Sequence, residues 1–179
     1  IMTNGFSRLL ARRSFTLPLV LAVVTGMLCG RVLRIYFLSD DFNFLYSVSP
    51  LGKEWSLVAI FSPISEGRLY RPVITLLFWL WYRLWGLDPL WYHALSLLLH
   101  TVNTILVYYL GQRWMSKTSA LMGALLFGVH FLHVESVAWI SDWTDLLVTT
   151  FYLGTLILIA DSENASSRQK MMALGTFSL

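Results

Sequence analysis

The chain has 179 residues, of which 56% are hydrophobic and only 13% charged, with eight Trp, eight Tyr and eleven Phe. That composition excludes an ordinary soluble domain and places the protein among membrane proteins. The formal net charge is +3, with the basic residues scattered along the chain, which excludes nucleic acid as a partner, and the single Cys29 cannot form an internal disulfide.

Arg8, Arg12 and Arg13 precede an uncharged apolar run, Phe15 to Gly30. A secretory signal has the same polarity, but no small-x-small cleavage site follows, and Leu28 stands where a lipoprotein signal needs a small residue. The run is therefore read as a retained span. Its sixteen residues reach roughly 24 Å against a hydrocarbon core of about 30 Å, so the helix is expected to cover about 15–38, with Arg31 and Arg34 snorkelling at its far end.

Ser39-Asp40-Asp41-Phe42 follows directly. Two adjacent carboxylates beside a bilayer are costly unless hydrated, paired or used, so the pair is either a solvated helix-end cap or a catalytic acid pair. Ser39 to Tyr70 is the most polar stretch of the front half, broken by Pro50, Gly52, Pro63 and Gly67, and reads as a loop on the membrane surface with one amphipathic piece, Glu54 to Phe61. Pro72 opens a helix to Trp85, stopped by Gly86 and Asp88-Pro89. Short, aromatic and carrying Arg83, this 72–85 segment reads as an interfacial helix, with a tilted true span as the alternative.

Residues 91–110 form a full span whose His93, His100 and Asn103 share one face, which is expected to look into a helix bundle. For His100 and Asn103 the simplest role is hydrogen bonding to a neighbouring helix. A third span is expected at 119–140, with His130, His133 and Glu135 near its end, a fourth at 146–160, and the start of a fifth at 171. The start at Ile1 before Met2 and the stop inside that last run read as a fragment of a longer protein. The expected fold is all-α: a polytopic transmembrane helix bundle with an outer-face loop and an interfacial helix. If the 72–85 helix does not cross, one side carries seven basic residues against two acidic ones and the other six against eight, so the N-terminus is cytoplasmic by the positive-inside rule. Asp40, Asp41, His130, His133 and Glu135 then share the outer face.

His130 and His133 lie three apart, on one helical face, with Glu135 turned partly away. The order is not that of a zinc metalloprotease helix. Asp41, His130 and Glu135 offer a ligand set for a divalent metal ion; the alternative is a set of buried histidines bonded to Glu135 and a neighbouring helix.

Asp40-Asp41 after the first span, Arg71-Pro72-Val73, Tyr92-His93, Leu99-His100 with Asn103-Thr104, Val107-Tyr108, and His130 with His133 to Ser141 together resemble one family. It is the GT-C membrane glycosyltransferases of the protein O-mannosyltransferase type, in particular the membrane part of the transmembrane and tetratricopeptide-repeat proteins and their bacterial relatives. The resemblance covers roughly Leu38 to Leu147, and its most specific piece is His133 to Ser141. It implies transfer of a sugar, mannose by the family's name, from an isoprenoid phosphate carrier to an acceptor hydroxyl on a protein or glycan. The transfer takes place on the outer face, with inversion, in a bacterial inner membrane or the endoplasmic reticulum. By the same analogy Asp40 is the base, Asp41 supports it or binds metal, and His130, His133 and Glu135 line the substrate pocket. Two departures stand out: Phe131 where the family has Pro, and Asp142-Trp143-Thr144 where it has a basic residue. Arg71 is the candidate to hold the phosphate instead. Membrane lipid is the remaining partner, and the aromatic 72–85 helix offers a floor for a lipid carrier. The competing readings are a non-catalytic scaffold of the same fold, and a transporter lined by His100, Asn103 and His130.

Overall fold

The computed structural model describes residues 16–52, 56–61 and 70–160. The N-terminal arginines, the start of the Glu54 to Phe61 piece and the expected fifth run at 171 lie outside them. Among the described residues every regular element is helical. The order is α1 (Thr16–Cys29, continued by a 3-10 turn, Gly30–Arg34), α2 (Asp41–Val48), α3 (Leu57–Ile60), α4 (Pro72–Trp85), α5 (Pro89–Gly111), α6 (Lys117–Val129) and α7 (His133–Ala138), then a 3-10 turn, Ile140–Asp142, leading into α8 (Trp143–Ala160). Three stretches among them are long and apolar enough to cross a membrane: Thr16–Arg34, Pro89–Gly111 and Ile140–Ala160.

The helix ends follow local chemistry. Pro72 and Pro89 sit in first turns, where a missing N–H breaks no helical bond. Asp88 caps α5 by accepting the Leu90 N–H at 3.1 Å, and Ser116 caps α6 through the Ser119 N–H at 3.1 Å. Gly86 closes α4 at φ 59°, a left-handed conformation that an L side chain resists.

α5 is the centre of the bundle, with α1, α6 and α8 packed against it. Five of its polar residues face inward: His93, Ser96, His100, Asn103 and Thr104 are buried. Each of three makes a specific tie, as expected where the alternative is a polar group facing lipid. The Asn103 amide donates to the Leu146 carbonyl at 3.0 Å and accepts from the Thr150 hydroxyl at 2.7 Å. The Trp143 indole donates to the Ser96 hydroxyl at 2.8 Å, and His100 Nε2 lies 3.0 Å from the Gly128 carbonyl.

Two apolar cores sit at opposite ends of α5. One gathers Phe37, Leu45, Val48, Ile74, Phe78, Tyr92, Ile140, Trp143 and Leu146; the other gathers Leu21, Tyr108, Ala120 and Ala124. In the first, Trp143 stacks on Tyr92 (ring centroids 5.8 Å, 14°) and Phe44 stacks on Phe78 (4.9 Å, 16°).

Three elements differ from the sequence reading. The first span ends as a helix at Arg34: Ile35 is extended, and no regular element follows until α2. The loop expected from Ser39 contains α2, whose Leu45 and Val48 are buried against α4; too short to be stable alone, it forms through that packing. The segment expected as one span at 119–140 is divided at His130, which leaves the helical region with ψ 130°. At the break the Gly128 carbonyl lies 3.0 Å from His100 Nε2, and the Leu132 N–H turns to His130 Nδ1 at 3.4 Å. His130 and His133 therefore do not share a helix face.

Candidate functional site

The site is built on a corner of the chain. After the non-helical segment 35–38, Ser39 adopts φ 40°, the left-handed region that a residue with a Cβ avoids. Phe37 anchors the approach by packing edge-on against Tyr92 at 5.3 Å, and the Tyr92 hydroxyl donates to the Gly86 carbonyl at 2.8 Å. The turn at Ser39 then sends Asp40 and Asp41 in different directions.

Asp41 points inward and is completely buried. One carboxylate oxygen accepts the Leu38 N–H at 2.8 Å; the other accepts the Ser141 N–H at 2.8 Å and the Ser141 hydroxyl at 2.6 Å. A carboxylate with three donors on it is a structural clasp. It joins the first-span corner to the turn before α8, 100 residues away in sequence. Asp40 opens α2 with no side-chain capping bond and is exposed. The pair is thus divided: one carboxylate holds the fold, the other meets solvent.

Next to the corner, an open cleft of about 270 Å³ is lined by Leu38, Ser39, Glu135, Ala138 and Trp139. Glu135, in the first turn of α7, is exposed. The Trp139 indole nitrogen is shut off from solvent and makes no hydrogen bond among the described residues. Such a donor costs about 1–3 kcal/mol while it stays unpaired. Asp142, in the turn that follows α7, faces Ser136, Asp145 and Glu135.

The histidines lie apart from the clasp. His133 is 5.5 Å from His100 and 6.1 Å from His130 between ring centroids, and packs on Phe127 at 4.4 Å. Burial, and then the neighbouring His100 and His130, hold the His133 pKa below its ordinary value. His130 is exposed, stacked on Phe131 at 4.8 Å. The expected metal ligands Asp41, His130 and Glu135 do not converge: among the described residues no group of three or more His, Cys, Asp and Glu side chains could hold a metal ion. The physical reason is that both Asp41 oxygens are engaged by Leu38 and Ser141, while the break at His130 turns that ring away with Phe131. Arg71 heads α4, half-buried, on the helix against which α2 packs.

One participant was hidden in the sequence. Ser141 closes the His133-to-Ser141 motif but carries no charge to advertise its bond to Asp41. His93 was placed on the inward face of α5, yet its ring is completely buried beside Asp41 and the Ile35–Tyr36 backbone, and neither nitrogen makes a hydrogen bond of ordinary geometry. The polar groups suggested for a transport path, His100 and Asn103, are instead occupied by the Gly128 and Leu146 carbonyls.

The chain is 35% identical over 135 residues to Protein O-mannosyl-transferase F38B6.6 of Caenorhabditis elegans, covering 68% of this chain and 20% of that one. It is 31% identical over 147 residues to Protein O-mannosyl-transferase TMTC1 of Mus musculus, covering 74% of this chain and 16% of that one. With Protein O-mannosyl-transferase TMTC3 of Homo sapiens the identity is 28% over 161 residues, covering 82% and 17%. The chain thus spans about a fifth or less of the length of these relatives. No protein-family model matches it, and no solved structure does.

Proposed function

Because the chain is a homologue of the protein O-mannosyl-transferases of the TMTC type over a short part of their length, we propose that it carries the acid-pair corner of a membrane glycosyltransferase. The substrate is a sugar on an isoprenoid phosphate carrier and the acceptor is a hydroxyl of a protein, on the outer face of the membrane. The observation that carries the reading is the division of the acid pair. Asp41 is spent on structure, and Asp40 stays exposed beside an open cleft.

An acceptor hydroxyl is a weak nucleophile. Asp40 takes its proton as the oxygen attacks the anomeric carbon. The new carbon–oxygen bond forms on the face opposite the breaking bond to phosphate, so configuration inverts, and the lipid phosphate leaves with the bonding electron pair. The leaving charge calls for a cation, for which Arg71 is the candidate, with Arg31 and Arg34 at the end of the first span as alternatives. Glu135 and His133 face the substrate from α7.

The test is sugar transfer from labelled isoprenoid phosphate sugars in membranes carrying the protein or its Asp40→Asn variant. Transfer by the parent, lost in a variant present at normal amount, is expected. Transfer undiminished in the variant would make Asp40 a helix end and nothing more. Transfer absent with every donor would favour a scaffold of the same fold.

A further inference from the structure

We propose that His93 is the positioning residue of the acid-pair corner: from inside the bundle it braces the 35–38 backbone that leads into Ser39, and so sets where Asp40 stands. The proposal rests on the glycosyltransferase reading above and adds to it a residue that touches no substrate.

The first argument is a polar group left unspent. His93, in the second turn of α5, is completely buried, and among the described residues neither ring nitrogen makes a hydrogen bond of ordinary geometry. The other four polar residues of that inward face are engaged: Ser96 by the Trp143 indole, His100 by the Gly128 carbonyl, Asn103 by Leu146 and Thr150, and Thr104 by the His100 carbonyl. A buried polar side chain without a partner works against stability, and folded chains keep such features chiefly where function requires them.

The surroundings of the ring give the second argument. Asp41 and the backbone of Tyr36 and Ile35 lie beside it. The Ile35 N–H is already given to the Val32 carbonyl at 3.0 Å, so what Ile35 has left to offer is its own carbonyl. A neutral imidazole carries one N–H donor. Donor and acceptors thus stand side by side, and a small inward movement of the 35–36 backbone joins them.

The third argument is the route to Asp40. Ser39, at φ 40°, holds a conformation that persists only where its surroundings enforce it. Tyr92 packs on the Phe37 ring, and Asp41 accepts the Leu38 N–H. His93, next to Tyr92 on α5, is placed to hold the backbone just before them. Movement of that backbone passes through Ser39 to Asp40, and a misplacement of about 1 Å at a reacting group costs on the order of 10²-fold in rate.

The experiment compares the full protein with His93→Leu, which keeps a side chain of similar size and has no donor. It also uses His93→Asn and His93→Gln, whose amides return an N–H near one ring nitrogen or the other. In His93→Leu kcat is expected to fall about 10- to 100-fold while KM stays within about twofold, because the base is displaced and the donor site is not. The unfolding temperature is expected to hold or rise, since an unpaired buried group has been removed. One of the two amide variants should recover most of the lost kcat. Transfer undiminished in His93→Leu overturns the proposal; so do transfer and unfolding temperature that fall together, with neither amide better than Leu. The corner is read separately by hydrogen exchange. The amides of residues 36–38 are expected to exchange faster in His93→Leu, with those of α6 unchanged, and unaltered exchange at 36–38 also overturns the proposal. Faster exchange there without turnover by any donor would support the brace while refuting the enzyme; turnover with kcat and exchange both indifferent to His93 would do the reverse.

Discussion

Replacing the two acids one at a time separates a structural carboxylate from a chemical one. Asp41 receives donors from two sides: Leu38 on one oxygen, Ser141 twice on the other. An amide has a single accepting oxygen. In Asp41→Asn, if that oxygen faces Ser141, the amide NH2 meets the Leu38 N–H donor to donor; if it is turned over, both Ser141 donors are stranded. A stranded buried donor costs about 1–3 kcal/mol, and a hydrogen bond to a charged group contributes about 1.5–3 kcal/mol. Asp41→Asn should therefore destabilise by about 2–4 kcal/mol, and Asp41→Ala, which strands all three donors, by about 3–5 kcal/mol. Either is a large part of the roughly 5–15 kcal/mol that holds a typical domain. Asp40→Asn should change stability by no more than about 0.5 kcal/mol and yet lower transfer by roughly 10²- to 10⁴-fold. Thermal unfolding of the detergent-purified proteins, with transfer measured on the same preparations, checks both. Parental unfolding in Asp41→Asn, or early unfolding in Asp40→Asn, would refute the division of roles.

Other consequences are independent of the chemistry. A Cβ at Gly128 would lie 2.8 Å from Thr104 Cγ2 and 3.1 Å from the hydroxyls of Thr104 and Thr25, so Gly128→Ala should cost about 1–3 kcal/mol, partly recovered by Thr104→Ser, as a double-mutant cycle in thermal unfolding would reveal. At Ser39, with φ 40°, Gly should be tolerated or stabilising, whereas β-branched Val should lose about 1–2 kcal/mol in chemical denaturation and lower transfer by displacing Asp40. The third concerns pH. His133 binds its proton less readily in the folded protein than in the unfolded chain, chiefly through burial, so below an ordinary histidine pKa of about 6.5 the unfolded state takes up more protons. Its contribution is full above that pH and lost as pH falls through the lower folded value. The unfolding temperature should drop on acidification, and less so in His133→Gln.

What the sequence could and could not reveal has a physical pattern. Patterns that repeat at helical spacing were legible: the apolar run from Phe15, and the inward face of α5 with His93, His100 and Asn103, which the bundle buries together. Punctuation by Pro72, Gly86 and Asp88-Pro89 also marked real helix ends. Features that depend on a partner distant in sequence were not legible. α2 carries no strong period of its own and forms against α4 and the Ile140–Asp142 turn. The break after α6 is not marked in the local sequence; it lies where His100, 28 residues earlier, meets the Gly128 carbonyl. The acid pair was visible as a pair, but which member was free depended on Ser141, 100 residues away.

Those two long-range captures explain how the candidate site is assembled. The segment between Gly128 and Ser141 is held at both ends by side chains from other elements: His100 on the carbonyl of the first, Asp41 on the N–H and hydroxyl of the second. Left to its own hydrogen bonds, this segment could extend α6 as a continuous helix, placing Glu135 and Trp139 well along it. Instead the helix stops beside that carbonyl, α7 starts afresh, and the turn after it is drawn to the Ser39 corner by the Asp41 clasp. Glu135, Ala138 and Trp139 then line one cleft with Leu38 and Ser39. Loss of Asp41 should accordingly reduce transfer through misplacement of the cleft wall even where the protein still inserts. That loss should differ in kind from the loss of Asp40: the Ser141→Ala change, which removes one of the three donors and no acid, should reproduce it in milder form and leave Asp40 untouched.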